Sequence, residues 1–175
     1  MNVVTIVGSR TYPHKNQVVN TITNLGTLLK DNIQFISGGQ AEGVDGWVKK
    51  TIIKRNLAYI EGTPDHYSRN KYSFDICPIT NQPIEYRQLY NPYFYHLRNE
   101  RMVVHTLKNH GLALIFRHKN SRGTRSFLKY CTQYGLSHIV YDLNSKNNHK
   151  GHLYTCYYLK HNRREAQHDT FEINL

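Results

Sequence analysis

The sequence predicts an α/β protein, a parallel sheet with helices on both faces, interrupted by a long insertion and closed by a C-terminal extension. Two observations predict it. Short β-branched runs without polar alternation recur along the chain, as strands buried on both faces require. Between them lie segments whose apolar residues return at helical spacing.

Val3 to Val7 is the first such run, with Gly8 directly after it. Past a loop containing Pro13, Val18, Ile22, Leu25 and Leu29 form one helical stripe. Ile33 to Ser37 reads as the second strand and meets Gly38-Gly39 at once. Val44, Trp47, Val48 and Ile52 make the next helix, and Ala58 to Ile60 a third strand. From Gly62 to Pro92 the pattern lapses, with four of the five prolines, many tyrosines and a candidate turn at Asn81-Gln82-Pro83. An insertion of that length is expected to act as a lid. A helix from Tyr95 to Lys108, a strand from Leu112 to Phe116, a helix from Thr124 to Tyr134 and a strand from His138 to Tyr141 complete the regular part. Residues 144–150 read as exposed, and the Tyr-rich stretch from Leu153 to Leu159 is a candidate edge strand. The expected division is one domain over 1–143, carrying the insertion at 62–93, with an extension over 144–175 packed on it.

The 175 residues suffice for a core without disulfides. Cys77, Cys131 and Cys156 lack metal-ligand spacing, so reduced thiols in a cytoplasmic protein are expected. No run is long enough to span a membrane, and the N-terminus enters a strand without a basic leader, so neither membrane nor signal peptide is expected. Lys and Arg number 23 against 12 Asp and Glu, a net charge of +11 that attracts polyanions, nucleotides or nucleic acid. The richness in Asn, Lys and Tyr is read as the mark of an AT-rich, viral genome.

In an open α/β sheet, ligands bind beyond the carboxyl ends of the strands. Three glycine-bearing loops sit there: Gly8-Ser9-Arg10, the run from Gly38-Gly39 through Gly43 to Asp45, and Arg122-Gly123-Thr124. Glycine lets the backbone approach a phosphate, and amides at a helix N-terminus receive it. Each feature also has a plainer reading. The glycines permit tight turns, Asp45 favours its helix dipole, Thr124 caps a helix, and arginines are ordinarily solvated. Convergence at one end of the sheet favours the ligand reading. His149, His152 and His161 are expected to be solvated rather than metal ligands, and Cys131 to pack in the core. Tyr90, Tyr93, Phe94 and Tyr95 either stack on a base or pack the insertion.

With these motifs in hand, the chain resembles the SLOG superfamily of Rossmann-like proteins, and within it the YspA-type branch. The resemblance runs through Gly8-Ser9-Arg10, the GGxxGxD loop from Gly38 to Asp45, the helix segment Arg98-Asn99-Glu100-Arg101-Met102, and Arg122-Gly123-Thr124. It implies a site for nucleotide-type small molecules, ADP-ribose derivatives or cyclic nucleotide signals among them, with no further cofactor and no metal. The implied ligand set is Gly8, Ser9, Arg10, Gly38, Gly39, Gly43, Asp45, Arg98, Asn99, Arg122, Gly123 and Thr124. The superfamily includes sensors of antiviral nucleotide signals, so a viral anti-defence protein that sequesters such a signal, as a homo-oligomer, is the leading expectation.

The related LOG enzymes cleave nucleoside 5′-monophosphates with a glutamate shortly after the GT of their loop. Here Ser126 and Phe127 stand in that stretch, so binding without catalysis is expected. Asp45 and Glu100 are the acidic candidates to stand in, although no spacing argues for either. A phosphoribohydrolase is the second expectation, and a nucleic-acid binder like the DprA branch is the third.

Overall fold

The computed structural model describes residues 2–62, 92–143, 153–158 and 167–172. Seven strands form one sheet: β1 (Asn2–Gly8), β2 (Ile33–Ser37), β3 (Ala58–Glu61), β4 (Leu112–Arg117), β5 (His138–Asp142), β6 (Leu153–Tyr158) and β7 (Gln167–Glu172). Their order is β3-β2-β1-β4-β5-β6-β7. The first five are parallel, and β6 and β7 join as an antiparallel pair. Four α-helices accompany them: α1 (Lys15–Leu29), α2 (Gly43–Lys54), α3 (Pro92–Lys108) and α4 (Arg122–Tyr134). The architecture is the Rossmann-like α/β sheet expected from the sequence.

The alternation of side chains along each strand divides the core into two layers. Val4 and Ile6 of β1, with Leu114 and Phe116 of β4, pack against Val18 and Ile22 of α1 and Val44, Val48 and Ile52 of α2. Val3 and Val7, with Ala113 and Ile115, pack against Met102 and Val103 of α3 and Phe127 and Cys131 of α4. Cys131 therefore sits in the core, and burial pushes its thiol up to about 12.

Two buried hydroxyls face each other in that second layer. Thr5 and Thr106 lie 2.5 Å apart, and Thr106 donates its own proton to the Met102 carbonyl. Thr5 is therefore the donor to Thr106. Thr106→Val is expected to strand the Thr5 hydroxyl and to cost about 1–3 kcal/mol, measured by urea unfolding. A loss within error would mean that Thr5 finds another acceptor.

Several boundaries differ from expectation. α3 starts at Pro92, because proline suits a first helical turn, and so takes up the end of the expected insertion. α4 starts at Arg122, and its N-cap is Ser121, whose side chain accepts from the Thr124 amide at 3.5 Å. Thr124 is therefore not the cap. A strand is present near Leu153 as β6, but it is not the edge expected there, because β7 pairs along its outer side and takes that place. The candidate turn at 81–83 and the histidines at 149, 152 and 161 lie outside the described residues.

Candidate functional site

Strand order reverses between β1 and β4, since β2 and β3 extend the sheet one way and β5 the other. A crevice opens at such a switch point, beyond the carboxyl ends of the strands. Here it is a cleft of about 620 Å³, within the range of small-molecule sites. Its walls come from the end of β1 and the loop after it (Gly8, Ser9, Arg10), from Gln40 and Asp45 after β2, from α3 (Tyr95, His96, Arg98, Asn99) and, after β4, from His118 through Thr124 with Ser126 and Phe127.

Buried hydrogen bonds fix this frame. The Ser9 hydroxyl accepts from the His118 amide at 2.9 Å and meets Thr124 Oγ1 at 3.5 Å, which ties the β1 loop to the β4 loop. Asn99 is buried; its Nδ2 donates to the Gly123 carbonyl at 3.3 Å, which holds the start of α4 against α3. Arg10 is exposed and donates to Gln40 Oε1 at 2.7 Å.

Arg98 is the most heavily engaged cation. It donates through Nη1 to the Gly38 carbonyl and through Nε to Asn99 Oδ1 at 3.1 Å, and its guanidinium lies 5.6 Å from the centre of the Tyr95 ring. Burial lowers its pKa, with Asp45 opposing the shift. Asp45 faces it from the first turn of α2, only 6% exposed. Burial pushes the Asp45 carboxyl up to about 6, against the pull of Arg98, the amides of Gln40 and Gly8, and Arg10. Tyr95, a stacking candidate in the sequence, is thus a cleft residue in contact with an arginine.

The glycines divide into two groups. A side chain on Gly38 would meet Asp45 Oδ2 at 2.5 Å and Arg98 Nη1 at 2.7 Å. One on Gly39 would meet Glu61 at 2.5 Å, and its φ of +69° disfavours any other residue. Gly43 has a φ of +67° and packs directly on the Arg10 backbone. These three pack against the protein and do not line the cleft, because their missing side chains leave room for Arg98, Glu61 and Arg10. The lack of a side chain at Gly39 is thus required by Glu61 and by the backbone, whatever binds in the cleft. Gly123 differs: a side chain there would meet nothing within 4 Å. It lies in the first turn of α4, on the cleft, next to the exposed Arg122.

Glu100 does not reach the cleft. Its carboxylate accepts from the Tyr134 hydroxyl, across α3 and α4. Phe127 borders the cleft but is 1% exposed and belongs to the core. Asp45 is the carboxylate lining the cleft among the described residues.

Sequence reading missed several neighbours: Gln40, the pair His96 and Ser126 at 2.6 Å, and His118 and Lys119. Their proximity to the motif residues in the chain was the available signal. Among the described residues, no group of three or more His, Cys, Asp or Glu side chains gathers to hold a metal ion, and no helix is long and apolar enough to cross a membrane.

Fold and cleft together define a Rossmann-like protein with a crevice at the sheet's switch point. The sequence matches no protein-family model and no curated protein. Among solved structures, the chain is similar to DNA processing protein A from Helicobacter pylori, described for its single-stranded DNA binding mode, with a TM-score of 0.55 and 18% identity over 84% of this chain and 67% of that one. Weaker likenesses are to DNA processing protein A from Streptococcus pneumoniae (TM-score 0.38, 14% identity, 79% and 58% of the two chains). A further one is to a molybdenum cofactor carrier protein from Chlamydomonas reinhardtii (TM-score 0.37, 12% identity, 83% and 91%). The first of these supports the fold.

Proposed function

We propose that the cleft binds a phosphate-bearing, nucleotide-derived small molecule and holds it intact. The observation that carries this is the electrostatic make-up of the switch-point crevice. Arg10, Lys119 and Arg122 line it, and the first turn of α4 presents its amides beside open space at Gly123. Arg122 and Gly123 take the phosphates in this reading. ADP-ribose derivatives and cyclic nucleotides are the ligand class that the YspA-type resemblance favours, and sequestration of such a signal by a viral anti-defence protein is the role that follows.

The test is a thermal-shift screen over AMP, ADP-ribose, cyclic ADP-ribose and NAD, since a ligand at 100 times its Kd adds about 2.7 kcal/mol of stability. Arg122→Ala is expected to weaken ADP-ribose binding by about 1.5–3 kcal/mol while leaving the unliganded melting temperature unchanged, because the side chain is exposed. Unchanged affinity would remove Arg122 from the site. The ligand should be recovered whole after denaturation. Release of free adenine from AMP, abolished in Asp45→Asn, would instead make the protein a phosphoribohydrolase.

A second reading, single-stranded DNA, is favoured by the net charge of +11 and by the binding mode named for the Helicobacter pylori relative. Tight oligonucleotide binding that falls steeply with salt, with no nucleotide-induced stabilisation, would establish it.

A further inference from the structure

Asp45 keeps an acceptor that the protein leaves unused. Its Oδ1 is buried without a hydrogen-bond partner, although the residue lines the cleft. A buried acceptor left unpaired is costly, so its position calls for a donor from outside the chain. Two plainer explanations fit less well. Asp45 does not reach back to the N-cap residue of its own helix: the amides that stabilise its carboxylate belong to Gln40 and Gly8, while the N-cap is Glu42. Nor does Arg98 satisfy it: the guanidinium acts on the carboxyl through its charge, and Oδ1 is left without a hydrogen bond.

The nature of the missing donor follows from the surroundings. Phosphate oxygens offer acceptors and negative charge, both unsuited to a carboxylate, and the cleft already has cations for them at Arg10, Lys119 and Arg122. The donors of a nucleotide are its sugar hydroxyls and the N–H groups of its base. A base brings a flat ring that needs an apolar slot. Asp45 is instead enclosed by polar and backbone groups, the guanidinium of Arg98 and the Gly8 and Gln40 amides. A hydroxyl needs one acceptor and little room.

We propose that Asp45 Oδ1 accepts a hydrogen bond from a sugar hydroxyl of the bound nucleotide, so that the cleft selects ribose over deoxyribose. This rests on the nucleotide-binding reading above and orients the ligand within it: sugar towards α2, phosphate towards the start of α4. It also sets the small-molecule site apart from a DNA site, whose sugars lack the 2′-hydroxyl.

The test is calorimetric titration of AMP, 2′-deoxy-AMP and 3′-deoxy-AMP into the wild-type protein and into Asp45→Asn. 2′-Deoxy-AMP is expected to bind about tenfold or more weakly than AMP to the wild type, the usual cost of losing a hydrogen bond to a charged group, and a penalty confined to 3′-deoxy-AMP would overturn the selection of ribose over deoxyribose. In Asp45→Asn that penalty is expected to shrink to about threefold or less, as the acceptor becomes neutral. If the variant fails to fold, comparison of the three ligands on the wild type decides alone. Equal affinity for all three would overturn the sugar contact while leaving nucleotide binding in place. An unchanged penalty in a folded Asp45→Asn protein would assign the selectivity to another group. No binding of AMP or ADP-ribose would overturn the nucleotide reading and this inference with it.

Discussion

An Arg98→Ala variant is expected to lose about 3 kcal/mol of stability with no ligand present, because it removes a charged donor from two hydrogen bonds and a positive charge from beside the buried Asp45. The guanidinium holds three things at once: the Gly38 carbonyl, the Asn99 side chain and the buried charge of Asp45. Truncation strands each of them. Asp45 limits the loss, because a carboxyl already pushed up to about 6 can protonate when its counter-charge leaves. For a chain of this size the melting temperature should fall by roughly 10 °C. Arg98→Lys should recover only part of this, since one ammonium cannot reproduce the fork of donors. The resemblance places Arg98 in the ligand set instead, a role in which its loss would leave the unliganded protein unaffected. An unchanged melting temperature in Arg98→Ala would restore that view and mean that the Asp45 contact contributes nothing to the fold.

The contrast between these two roles turns on which kind of information local pattern carries. Val3 to Val7 and Leu112 to Phe116 were legible because a strand covered on both faces must be apolar throughout. β7, with the sequence QHDTFE, was not legible: its ladder to β6 uses backbone groups, which any residue supplies. In the same way, glycine loops at strand ends marked the region of the cleft. Gly8, Ser9, Arg10, Asp45, Arg98, Asn99, Arg122, Gly123 and Thr124 all line it. The roles within that region depend on pairs distant in sequence. Gly38 is small because Asp45 and Arg98 meet beside it, and Gly39 because Glu61 does. Glu100 belongs to the same motif as Arg98 yet bonds to Tyr134, because neighbours on a helix point in different directions.

The same buried carboxyl gives a pH signature whose sign is fixed. Burial raises the Asp45 pKa from 3.8 to about 6, and Arg98, the Gln40 and Gly8 amides and Arg10 only partly offset it. The folded protein therefore holds this proton more tightly than the unfolded chain does. The resulting stabilisation is complete below about pH 3.8 and is lost as pH rises through about 6; beyond that it stays constant. At about 1.4 kcal/mol per pKa unit, the change amounts to about 3 kcal/mol. Asp45→Asn cannot titrate, while every other group contributes nearly equally to both proteins. The stability difference between variant and wild type should therefore move by about 3 kcal/mol in the variant's favour between pH 3.5 and pH 7, whatever its absolute value. Urea unfolding of both proteins at pH 3.5, 5 and 7 measures it. A difference that is flat across this window would mean that Arg98 and the two amides fully offset the burial of the charge. A shift in the wild type's favour would mean that they exceed it, and that Asp45 is held ionised in the folded cleft.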